Sequence, residues 1–449
     1  MLSPTRPLPA PSRPYHFPAF ERGELPNGAR LIVCRIPKLP LATLMAVTDA
    51  GSGRDPAGLE GTARLAAKLL IVGTSEHTGG ELAQAFEGIG TSLDTGADWD
   101  SAIARVTFLT EHLDAVTALV GEVLAGPTFP ERELQRLKSE RIADLLQIES
   151  EPRGLADEAF ESFLYTQDSR FSIPSGGSKT SVSAIGIDDV RHFHAAAHKP
   201  RNTTLIVAGD VGFEDVHKQL SHRLSEWVGE SNAPGARPNA LAGAERRIKL
   251  IEKLDAPQSE IRVGHFGLPR RHPDYFPVVV MNAILGGLFG SRINLNLREA
   301  HGYTYGASSY FDWRRDIGPF VISTAVATEV TGAALKEILF EIDKIRDEPV
   351  AESELSLAKD YLDGVFPIRY ETTAAVASAL ANLVTQDLED AYFDTYRARI
   401  RDVTRDDVLS AARQHLHPER LQTLVVGNVA AIRDQVANLG LGSLEPGSE

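Results

Sequence analysis

At 449 residues the chain is longer than one hydrophobic core usually accommodates, so two or more domains are expected. Its 46 Lys and Arg against 61 Asp and Glu leave a net charge of −15, which argues against nonspecific nucleic-acid binding and mildly favours cationic ligands, basic peptides among them. Cys34 is the single cysteine, which excludes an internal disulfide and a thiolate zinc site, and no uninterrupted apolar run is long enough for a membrane span.

The N-terminus, MLSPTRPLPAPSRPYHF, is rich in proline and lacks a hydrophobic signal core. Residues 1–22 are read as an extended arm that reaches over a neighbour or is disordered. This leaves the compartment open between cytoplasm and periplasm.

Strands are predicted at Ala29–Ile36, after the Pro26-Asn27-Gly28 turn, and at Leu41–Thr48. A helix near Gly80–Gly88 and paired strands around Thr91–Ala97 and Ser101–Leu109 follow. Helical spacing then runs through Glu111–Leu124, Pro130–Ile148 and Ile187–His198. Pro200 closes the last of these before an apolar strand, Thr204–Ala208. The text from Gly229 to Ala244, GESNAPGARPNALAGA, has no periodicity and marks a linker at 229–245.

Beyond the linker, strands are expected near Arg247–Glu252 and Glu260–Phe266, then helices at Asp274–Leu285 and Arg292–Ala300. Two further strands, Tyr303–Asp312 and Pro319–Ala327, precede a helical block, Thr331–Ile400. Residues 439–449 are predicted to fray as a flexible tail.

An internal repeat supports the division. IDDVRHFHAAAHKPRNTTLIVAGDV at Ile187–Val211 aligns without a gap to RDDVLSAARQHLHPERLQTLVVGNV at Arg405–Val429. Pro200 matches Pro418 and Gly209 matches Gly427. Each copy is a capped helix, a proline stop and a buried strand into glycine. The chain therefore reads as two copies of one α+β unit, at 23–228 and 246–438.

The stretch Gly61–Gly73, GTARLAAKLLIVG, reads as an amphipathic helix after an Asp-Pro-x-Gly turn (Asp55, Pro56, Gly58). Its setting resembles the zinc-binding helix of the M16 metallopeptidases, the inverzincins with His-x-x-Glu-His. Arg64 stands at the first His, Ala67 at the Glu and Lys68 at the second His, so a zinc dication would face two cations and a methyl group. The family's third ligand, a Glu on a later helix, falls on or near Asp144, and an ion pair of Asp144 with Arg64 and Lys68 is expected to fill the vacancy.

None of the thirteen histidines stands in a zinc motif. Glu76-His77 has Gly73 where a first ligand would stand. His194 and His198, four apart with His192 nearby, have no third ligand in the sequence and are read as solvent-facing.

In the second half, GGLFGSRINLNLREAHGYTYGASSYF at Gly286–Phe311 resembles the M16 segment with a Gly-rich turn, a helix, and an Arg and Tyr seven residues apart. Here these are Arg298 and Tyr305, with Tyr303 a near competitor. The resemblance implies that both steady an oxyanion on bound peptide, where a hydroxyl and a planar charged donor suit developing negative charge. Gly286, Gly287 and Gly290 do not form a Walker loop, since no Gly-Lys-Ser/Thr follows. They are read as letting a helix begin tightly against a neighbouring backbone or a bound peptide.

The resemblance covers about Leu25 to Val429. It implies two M16-type α+β domains, each a mixed, mostly antiparallel sheet packed with helices. It also implies a subunit without metal, paired with a homologous zinc-bearing M16 subunit as in two-subunit M16B peptidases. The rival expectation is an inert peptide-binding or scaffolding homologue.

Overall fold

The computed structural model describes residues 13–166, 168–230 and 245–445. The linker expected at 229–245 lies almost wholly outside the described residues, as do most of the N-terminal arm and the last four positions.

The first half carries β1 (Phe20–Glu24), β2 (Arg30–Arg35), β3 (Leu41–Thr48), β4 (Leu93–Ala97), β5 (Ala102–Leu109) and β6 (Thr203–Gly209). They form one sheet in the order β1-β2-β6-β3-β5-β4. The second half carries β7 (Arg247–Glu252), β8 (Gln258–Phe266), β9 (Ala307–Phe311), β10 (Pro319–Ala327), β11 (Gln422–Gly427) and β12 (Ser443–Glu445), in the order β12-β7-β11-β8-β10-β9. In both sheets one strand is parallel to the late repeat strand, β2 to β6 and β7 to β11, and the next three pairings are antiparallel. The repeat is thus one sheet topology used twice.

Strands β3 and β6 are buried almost end to end, whereas β5 alternates. The difference follows from what covers each strand, because a sheet buried on both faces loses the polar-out alternation. One face of the first sheet packs on its own helices, with Leu44, Ala46, Leu205 and Val207 in that core. The other face, with Ile32, Met45 and Ile206, packs in one cluster with Val376, Ala377 and Leu380. Those residues lie on the helix Thr373–Thr385 of the second half. The Thr43 and Thr373 hydroxyls meet at 2.9 Å across the contact.

The exchange is reciprocal. The helix Pro152–Leu164 of the first half places Ala156, Phe160, Phe163 and Leu164 against Val321, Leu424 and Val426 of the second sheet. Ion pairs reinforce the join, Arg262 with Asp157 at 2.6 Å and Arg314 with Glu161 at 2.7 Å. Each half donates a helix to the other, so neither sheet has both faces covered without its partner half.

At the N-terminus the described part of the arm packs on the chain itself: Phe17 stacks on Phe393 at 4.0 Å, and β1 begins at Phe20 as a partner of β2. Aromatic anchors at Tyr15 and Phe17 find apolar partners on the chain's own second half. Of the tail, residues 439–445 are ordered. Leu441 is buried, and β12 joins the exposed edge of β7 in parallel, satisfying backbone groups that would otherwise face water.

The segment Tyr275–Ala300 is long and apolar, with a mean hydropathy of 1.5, but 56% of its most apolar stretch is buried inside the second half. It is a core element. Two turns expected to be α-helical, Ala283–Gly287 and Leu295–Ala300, are wider π turns. They coincide with the Gly286-Gly287 pair and with Arg298. Such insertions into a helix recur at functional sites.

Candidate functional site

The helix Thr62–Leu69 starts at Gly61, which adopts φ 104°, and its opening N–H groups are capped from outside. The Asp55 carboxylate accepts from Gly61 N at 2.8 Å and Ala63 N at 2.7 Å. Arg170 donates to the same carboxylate at 2.7 Å, stacks on the Trp99 ring at 5.0 Å, and is itself fully buried. The Asp-Pro-x-Gly turn therefore sets the helix in place.

On that helix Ala67 is fully buried in the first-half core, Arg64 is half-buried and Lys68 is exposed. Arg64 lines a cavity of about 370 Å³ between the halves with Arg141, Glu158, Arg262, Tyr310 and Asp312. Burial, and then the Arg64 charge, hold Arg141 below the ordinary arginine range, and burial lifts Glu158. No imidazole, thiolate or carboxylate stands at positions 64, 67 or 68, and the cationic nitrogens of Arg64 and Lys68 repel a dication, so these residues do not fit zinc.

The ion pair expected to fill the vacancy is not made. Asp144 is exposed, and among the described residues no ion pair joins it to Arg64 or Lys68. The residue drawn into the space is Arg141, three positions earlier, which donates to Gly176 O at 3.1 Å and lies 3.7 Å from Glu158. Nothing in the resemblance pointed to Arg141. Only the packing of Glu131–Ser150 against the Thr62–Leu69 helix shows it.

His194 and His198 are also corrected. Their rings stack at 4.8 Å, His198 is buried, and both Nε2 atoms are buried without a hydrogen-bond partner. Phe129 packs on His194 and Phe193 on His198, so this helix face turns inward. Burial is the first cause that keeps both imidazoles neutral, with His198 lowered to about 4. Among the described residues no third ligand joins the pair.

In the second half a cavity of about 580 Å³ opens beside β9, the edge strand of its sheet. Gly286, Gly287, Phe289 and Tyr305 line it, and Glu260 and Arg153 form part of the opposite wall. Tyr305 is 93% exposed. The loop that carries it turns at Gly302, with φ 66°, and is tied by Thr304 Oγ1, which accepts from Gly306 N at 3.1 Å. Among the described residues no hydrogen bond or cation–π contact joins Arg298 to Tyr305. Its guanidinium lies 4.5 Å from the Phe289 ring centroid and 3.4 Å from Glu299.

Phe289 is thus the link that sequence spacing missed. It holds the guanidinium by a cation–π contact at the rim of the cavity that Tyr305 lines. Gly286 has a packing role, since a Cβ there would stand 2.4 Å from Ser309 Oγ and 2.7 Å from Ser309 N on β9. Gly287 would meet Asn282, whereas Gly290 has ordinary space beside Leu357 and does not line the cavity. The pair ends a helix against β9 rather than beginning one.

Residues 32–171 match the family described as insulinase (peptidase family M16), and residues 184–362 match the peptidase M16 inactive domain. An uncharacterized zinc protease of Streptomyces coelicolor is 24% identical over 402 residues, covering 88% of this chain and 87% of its own. The non-peptidase homolog YmxG of Helicobacter pylori is 24% identical over 396 residues, covering 87% and 90%. The crystal structure of a peptidase M16 inactive domain from Pseudomonas fluorescens superposes with a TM-score of 0.85 at 25% identity, covering 91% of this chain and 98% of that one. A chain of complex III from Candida albicans shares the fold alone, with a TM-score of 0.78 at 15% identity and coverage of 94% and 99%. With both halves matched and the ligand positions of its zinc helix held by Arg64, Ala67 and Lys68, the chain belongs to the M16 peptidase family as a member without the zinc motif.

Proposed function

We propose that the chain is the non-zinc subunit of a heteromeric M16B-type peptidase. A homologous zinc-bearing subunit supplies the metal, and this chain supplies Arg298 and Tyr305 to bound peptide. The observation that carries the reading is the asymmetry between the two sites. The zinc helix has lost every ligand type, while the second half keeps an exposed Tyr305 beside an open cavity and a free strand edge.

An edge strand offers unpaired N–H and C=O groups to an extended peptide, so β9 aligns a substrate backbone past Tyr305. The Tyr305 hydroxyl and the Arg298 guanidinium then donate to the oxygen on which negative charge develops. Tyr305 makes no hydrogen bond among the described residues, which leaves its hydroxyl available.

A second reading, an inert scaffold, is favoured by the naming of the Helicobacter relative as a non-peptidase homolog. Mixing the pure chain with a co-purifying M16 subunit that carries His-x-x-Glu-His separates the two. Peptide hydrolysis by the mixture, absent from either chain alone, is expected. A stable complex whose activity equals that of the zinc subunit alone selects the scaffold. Chelator-sensitive cleavage by this chain alone removes both readings.

A further inference from the structure

The geometry points to a divalent-metal site built by His272, Asp274 and His415, at the end of the second half away from the Gly286 turn. Two imidazoles converge on one carboxylate oxygen: His415 Nε2 lies 2.7 Å and His272 Nδ1 3.9 Å from Asp274 Oδ2. The rings stand edge to face, 5.0 Å apart at 78°, so they flank that oxygen without stacking over it. One ligand atom from each residue falls within 4.8 Å of the other two. Two imidazole nitrogens and a carboxylate oxygen, with a position left for water, are the donors that zinc takes and that cobalt and nickel share.

Binding a metal exchanges hydrogen bonds: His272 Nδ1, which accepts the Asp274 N–H at 3.1 Å, gives up that bond to present its lone pair to the ion. A metal replaces the His415–Asp274 hydrogen bond, and His415 then holds its proton on Nδ1 or releases it.

The ligands also stand on firm supports. Asp274 is the N-cap residue of the helix Tyr275–Asn282, and His415 ends the helix Arg405–His415. The two helices pack against each other. The nearby arginines are engaged elsewhere. Arg271 pairs with Asp387 at 2.6 Å, and Arg270 lies on the Tyr275 ring at 3.5 Å. Arg399 lies over Phe276 at 5.3 Å. A small cavity of about 240 Å³ reaches His272 and gives an entry path.

A metal here pins the start of the helical segment whose other end carries Gly286 and Gly287. This site does not depend on the proposed subunit partnership and is tested without it. The full chain, stripped with chelator, is titrated with Co(II) and followed by its visible absorption, with Zn(II) as competitor. One Co(II) per chain with a low-coordinate spectrum is expected, and Zn(II) raises the thermal midpoint. His272→Gln and His415→Gln each weaken Co(II) by roughly 10²-fold or more, beyond the loss typical of an outer-shell partner. His415 is largely covered, so its substitution can unfold the chain, whereas His272 is 31% exposed and gives an independent answer. Binding that survives His272→Gln unchanged, follows His194→Gln instead, or never saturates overturns the site.

Discussion

Asp55 and Arg170 form an ion pair of 2.7 Å in which neither side chain reaches solvent. Because the same carboxylate caps the Thr62–Leu69 helix, the pair fixes the vacated zinc helix against the segment after Pro152–Leu164. Arg170→Met strands a buried carboxylate on two backbone donors and is expected to lower stability by about 3–5 kcal/mol in urea unfolding. Adding Asp55→Asn to it restores part of the loss. A single substitution within 1 kcal/mol of the parent, taken as roughly the error of the comparison, removes the pair from the account.

The glycine cluster is expected to divide by position. Gly286→Ala forces a Cβ against Ser309 of β9 and destabilises by about 1–3 kcal/mol, the range for overpacking. Gly290→Ala has ordinary contact distance to Leu357 and leaves the melting temperature unchanged. Equal effects at both positions contradict the packing described for Gly286.

Arg298→Ala and Tyr305→Phe are each expected to lower turnover of the reconstituted complex by roughly 10²-fold, the scale for one oxyanion donor. Assembly and the zinc content of the partner stay constant. Phe289→Ala releases the guanidinium from its ring and is expected to lower turnover less than Arg298→Ala does. Full turnover in both donor variants leaves them structural.

The buried histidines set an acid limit. Burial depresses His194, His198 and His265 in the folded chain, the last two to about 4, against 6.5 for an ordinary imidazole. Between these values the unfolded chain binds protons that the folded chain refuses. Stability is therefore complete above pH 6.5 and falls as pH drops toward 4. Each imidazole contributes up to about 1.4 kcal/mol per pH unit. His198→Leu flattens the fall in urea midpoint between pH 7 and pH 5. Parallel curves for variant and parent assign the acid limit to other groups.

Much of the architecture was legible because it is written in local periods. Pro319–Ala327 and Leu41–Thr48 were predicted at their observed ends, since alternating or continuous β-branched runs between turn residues have few other uses. The match of Ile187–Val211 to Arg405–Val429 returned as equivalent helices and equivalent strands, β6 and β11. What failed was context. His194 and His198 read as solvent-facing, yet their repeat equivalents Ala412 and Leu416 are buried as well, and Phe129 comes from a distant turn to cover His194.

The sequence by itself determined that this chain cannot ligate zinc on its Thr62–Leu69 helix, because ligation depends on which atoms a side chain carries, and Arg64, Ala67 and Lys68 carry none that serve. The duplicated unit is determined in the same way, by residue types at fixed spacing. Only the tertiary structure decided that Arg141 rather than Asp144 enters the vacancy, that Phe289 holds Arg298 at the cavity rim, and that each half covers the other's sheet with a helix. Those outcomes depend on contacts between residues far apart in the chain, whose pairing is selected by burial and shape in the folded whole.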